Sequence, residues 1–135
     1  MIKLLKIEPT SASLEIILDA DKNFMSFIGE SRPENVKAFF IPILDWISVY
    51  SDSLLDLSKE NKTIDVKAIF KLEYFNSSSA KFIIDIISAI DGIKTKVPNA
   101  NIQIDWQYAE DDDDLFDSGK EFVRLSGIQM NFISF

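Results

Sequence analysis

The chain has 135 residues, 47% of them hydrophobic, enough for one domain with its own core and too apolar for a disordered segment. Its 14 Lys and Arg against 22 Asp and Glu give a formal charge of −8, which repels phosphate backbones and anionic membrane surfaces and suits a basic protein partner instead. It has no Cys and no His, so disulfides, thiolate nucleophiles, Cys/His zinc sites and imidazole bases are excluded, and Ser-His-Asp and Cys-His catalysis with them.

The opening stretch MIKLLKIEPTSASLEIILDADKN has no apolar run of the length a signal peptide or membrane span needs, so a cytoplasmic location is expected. SLEIILDA (Ser13–Ala20) and NFMSFIGE (Asn23–Glu30) are short apolar runs around a polar turn and predict a β-hairpin. Pro33 and Glu34 then mark a helix start. Val36, Phe39, Phe40, Ile43, Leu44, Ile47 and Tyr50 recur at three- and four-residue spacing as its core stripe. Pro42 lies within it and predicts a kink or a broken start.

After a polar connection at Ser58–Thr63, IDVKAIFKLEYF alternates with period two, placing Ile64, Val66, Ala68, Phe70, Leu72 and Tyr74 on one side of a strand. AKFIIDIISAIDG sets Ile83, Ile86, Ile87 and Ile90 on one helical face and stops at Gly92. VPNANIQIDWQY reads as a strand with Ile102, Ile104 and Trp106 on one side. An acidic segment, a short helix through Phe122 and a last strand in GIQMNFISF complete the order β-β-α-β-α-β-α-β. One domain is expected over 1–135, an α/β fold with a mixed, partly parallel sheet packed with helices.

The patterns that suggest chemistry are mostly weak. Ser78-Ser79-Ala80-Lys81 fits the Ser-x-x-Lys signature of serine-lysine acyl transferases, but the second motif such enzymes need is missing. YAEDDDDLFDSGKE offers carboxylates for calcium, yet an EF-hand register fails, with Leu115 or Phe116 at the fifth loop position. It reads as a solvated acidic loop entering a helix. Asp85 and Asp91 are acids on an exposed helix face, and Phe39, Trp46 and Trp106 fall at core spacings. No catalytic, metal or cofactor constellation is expected.

The stretch FNSSSAK carries more. Asn76 and the serines after it, between a strand and an apolar helix, are good N-cap chemistry, with a Ser oxygen accepting from a first-turn amide. Capping explains one or two of these polar residues. The other reading is a phosphoacceptor, because a phosphate there would meet free amides and the positive end of the helix dipole. It would add about −1.5 to −2 charges and block a partner docking on this loop and helix.

Three further stretches, Pro33-Glu34-Asn35, Asn76-Ser77-Ser78-Ser79 and Trp106-Gln107-Tyr108, stand in the order and at the spacing found in the SiaC-type bacterial regulatory phosphoproteins. From about Ser13 to the C-terminus the sequence resembles that family, with the closing FISF included. The resemblance implies a fold similar to STAS domains of the anti-sigma-factor-antagonist kind, and partner switching controlled by one phosphate. It implies a serine/threonine kinase, a PP2C-like phosphatase, and an effector, a diguanylate cyclase, bound by the unmodified form. The acceptor carried over by position is Ser77, where the family usually has Thr; Ser78 and Ser79 are the alternatives. Asn76, Ser78, Ser79 and Lys81 then form the docking surface, with Glu34 and Asn35 beside them as contacts or as caps of the first helix. The rival reading is a constitutive STAS-like binding module whose serines only cap.

Overall fold

The computed structural model describes residues 2–60 and 62–135. One sheet of six strands runs β1 (Leu5–Ile7), β2 (Glu15–Asp19), β3 (Phe24–Ser31), β4 (Ile64–Phe75), β5 (Ala100–Tyr108), β6 (Asn131–Ser134), in that spatial order. The first three strands form an antiparallel meander, and β3 through β6 are parallel. Helices supply the parallel crossovers: α1 (Val36–Leu57), α2 (Ser77–Asp91) continued by α3 (Ile93–Lys96), and α4 (Asp113–Ser126). Each crossover adds its strand on the same side of the last, so crossovers of a common hand put every helix on one face of the sheet.

The burial pattern agrees. Ile16, Leu18, Met25, Phe27, Ala68, Phe70, Ile104 and Trp106 point into one core with Phe40, Ile43, Ile47, Tyr50 and the four predicted isoleucines of α2. Lys67, Gln103 and Asn131 lie on the other face, where they hold the buried Asp105 carboxylate at 3.6, 3.1 and 3.1 Å.

The expected mixed α/β fold is present, with differences that have local causes. An additional strand, β1, pairs with β2; at three residues it is too short to show a period. Helix α1 runs through Pro42 unbroken, and both Pro42 and Ala38, whose carbonyl loses its amide partner, are exposed to water. It begins after Asn35, whose side chain accepts from the Ala38 amide at 3.1 Å. The connection after it opens with a 3-10 turn at Ser58–Glu60, and its Asn61 lies outside the described residues. Gly92 ends α2 in the right-handed region (φ −63°) and leads straight into α3; the left-handed glycine is Gly127 (φ 74°), after α4.

The alternation of β4 holds only to Leu72. A register shift opposite Gly29 and Glu30 makes Glu73 an extra residue, so Tyr74 turns outward and is 49% exposed. Phe75 takes the inward place and packs on Trp106 and Phe122 at 6.4 and 5.6 Å between ring centres. This bulge sets the angle at which the chain leaves the sheet for α2.

Candidate functional site

Helix α2 starts directly beyond the end of β4. Its N-cap is Asn76, in extended backbone, whose Oδ1 accepts from the Ser79 amide at 2.9 Å. The capping expected of a serine is therefore done by the asparagine, and this decides what is left for each hydroxyl. Ser78 donates to the same Oδ1 at 3.1 Å. Ser79 is buried: its hydroxyl donates to the Ser31 carbonyl at 3.0 Å and accepts from the Ser31 hydroxyl at 2.9 Å. Ser31 also takes the Asn76 amide at 3.1 Å, which ties the end of β3 to the start of α2. Ser77, the first residue of the helix, is exposed, and among the described residues its hydroxyl enters no side-chain hydrogen bond.

Ser79 consequently has no side chain to offer a partner, and it leaves the docking surface expected from the sequence. Ser78 is exposed, and its hydroxyl is turned to Asn76, not to Lys81. Lys81 is exposed and lies 3.5 Å from Asp85 one turn on, a surface pair of small worth that another anion can displace. Asn35 and Glu34 are exposed at the start of α1. The stacked rings of Phe40 and Phe82, 5.4 Å apart, hold α1 against α2 one turn below these ends. Beside the site, Arg32 bonds Glu30 at 3.2 Å and the Ser11 carbonyl at 3.3 Å.

Three shallow hollows of about 370, 470 and 250 Å³ lie near the same strand ends and share the bulge residue Glu73. Ser77 and Ser78 line none of these three.

The third motif, Trp106-Gln107-Tyr108, proves to be internal. The Trp106 indole donates to the Leu115 carbonyl at 2.9 Å, and Tyr108 packs on Phe116 at 5.1 Å, so the motif fastens α4 to the sheet. Gly119 completes that joint, and no motif in the sequence marks it. A β-carbon on it would lie 2.5 Å from the indole nitrogen and 2.7 Å from Phe132. A glycine inside a strongly amphipathic helix was the available signal. The acidic run caps α4: Asp112 accepts from the Leu115 amide at 3.1 Å, with Asp113 and Asp114 in the first turn. Among the described residues no group of acids is arranged to hold a metal.

A six-stranded mixed sheet packed with helices, with an exposed serine at the start of α2, defines a small single-domain α/β fold. The sequence matches the SiaC family regulatory phosphoproteins over residues 7–135, and the chain belongs to that family. No curated sequence matches it significantly. Among solved structures it is similar to apo-SiaC from Pseudomonas aeruginosa, with 20% identity, a TM-score of 0.78, and 98% of this chain and 99% of that one covered. It is equally similar to SiaC from the same organism in complex with the diguanylate cyclase SiaD, of which that SiaC is described as the activator. There the identity is 20%, the TM-score 0.80, and the coverage 97% of this chain and 99% of the other.

Proposed function

We propose that this protein is a non-enzymatic partner switch in which Ser77 is reversibly phosphorylated and the bare form binds an effector, a diguanylate cyclase. The observation that carries it is the division of labour at Asn76: the asparagine caps α2, Ser78 and Ser79 are engaged, and Ser77 alone of the three presents a free, exposed hydroxyl. A serine/threonine kinase reaches that hydroxyl without disturbing the fold, and a PP2C-like phosphatase reverses the step. The phosphate adds about two charges and considerable bulk at the edge formed by Asn76, Ser78, Lys81, Glu34 and Asn35, removing the fit of a partner docked there. Membership in a family of regulatory phosphoproteins, and the neighbour structure bound to a diguanylate cyclase, support the same reading.

The test uses the full chain with phosphoserine built in at position 77, beside the bare chain, as baits for a diguanylate cyclase from the same cells. The bare chain should bind the cyclase and change its turnover, and the phosphorylated chain should lose at least about tenfold in affinity. Equal binding by both forms would leave the domain a constitutive binding module.

A further inference from the structure

We infer that the outer face of α1 is a docking surface for a basic amphipathic helix of a partner protein, distinct from the rim that carries Ser77. An 18-residue stretch of this helix is as apolar as a membrane span, yet only 33% of it is buried in the fold. Helices on the outside of a sheet ordinarily turn a polar face to water, and the outer face of α1 mixes large apolar side chains with charged ones. Here the face opposite the core carries Ile41, Val49 and Leu55, which are 44, 55 and 38% exposed. Asp45, Asp52 and Asp56 lie on the same face, four, three and one residues after Ile41, Val49 and Leu55, so apolar and acidic groups alternate down the helix.

The alternation selects the occupant. In a second copy packed antiparallel about Ser48 and Val49, Asp45 would face Asp52; in a parallel pair each aspartate would meet itself. Either arrangement sets like charges together where they are being desolvated. An anionic lipid surface is repelled by the same three acids. A helix with apolar anchors three and four residues apart, and Lys or Arg seven apart to match Asp45 and Asp52, satisfies both halves of the pattern. Asp52 already pairs with Lys96 and Asp56 lies 3.8 Å from Lys59, exposed contacts that an incoming cation can replace.

The probe is a synthetic helix of about 20 residues with Leu at those spacings and Arg seven apart, and a twin with Glu in place of Arg. It is titrated against the full chain and against V49D, D45K and D52K, each checked for unchanged circular dichroism, because all three positions are exposed. The Arg helix should bind, V49D should weaken it by about tenfold or more, and D45K with D52K should transfer preference to the Glu twin. No binding, or binding indifferent to these substitutions, would overturn the inference. So would self-association in sedimentation that V49D abolishes, which would give the face to a second copy. V49D-sensitive flotation with phosphatidylglycerol vesicles would assign it to a membrane.

Discussion

Two helix N-termini stand at the same end of the sheet, and they are built in opposite ways. Helix α4 is capped by Asp112 and carries Asp113 and Asp114 in its first turn, so its dipole is already answered by fixed negative charge. Helix α2 is capped by neutral Asn76, and its first turn holds only serines and an alanine, with no acid. Its positive end is left uncompensated and ends in a free hydroxyl. A phosphate added at α4 would crowd three carboxylates; at α2 it would meet no acid in the first turn. A tightly packed body accompanies the first helix, in which Gly119 lies against Trp106, and a light polar latch accompanies the second, through Ser79 and Ser31. One end carries fixed negative charge; the other carries none in its first turn.

The sharpest way to break the fixed end is Gly119→Val. The new side chain has to displace the indole or Phe132, and overpacking of this kind costs about 1–3 kcal/mol, so the thermal midpoint should drop by several degrees. Tyr50 makes a second, pH-dependent probe of the fixed body. Its hydroxyl donates to Asn23 at 2.7 Å and burial pushes its pKa well above the ordinary tyrosine value. A raised folded pKa stabilises below the unfolded value of about 10 and is lost as pH climbs past it, so denaturant midpoints should fall above roughly pH 10. Tyr50→Phe should flatten that fall.

The two caps can be compared directly. Asn76→Ala and Asp112→Ala each remove one side-chain acceptor and should cost about 0.5–2 kcal/mol in chemical denaturation. Raising the salt concentration should narrow the loss for Asp112, whose cap is charged, and leave that for Asn76 unchanged. Smallest is the effect at Ser77. Ser77→Ala should stay within about 0.5 kcal/mol of the parent, because the residue is exposed and does not cap. Ser77→Asp should gain about 0.3–1 kcal/mol from the unanswered dipole, read as a higher denaturant midpoint at low salt.

Much of this was legible in the sequence because it rests on periodicity. The alternation of β4 from Ile64 to Leu72 and the isoleucine face of α2 follow from side chains that had to share one core. The bulge at Glu73 was not legible, because nothing in the run KLEYF distinguishes an extra residue from a continued strand; only the partner register, at Gly29 and Glu30, decides it. The identity of the cap was hidden for a similar reason. Asn76 and three serines are all competent acceptors, and the tie is broken by Ser31, distant in sequence, which draws Ser79 inward and leaves Asn76 to the amide. Pairing between distant segments thus set both features, and it also fixed which hydroxyl remained free.

Use of Ser77 is read from the intact mass of the protein from its native cells, with peptide mapping across Glu73–Lys81. Cells grown with and without their PP2C-type phosphatase activity provide the two samples. A fraction heavier by one phosphate is expected, located on Ser77 and enriched when the phosphatase is removed. Phosphate on Ser78 in place of Ser77, or a chain that stays unmodified with the phosphatase gone, would contradict it.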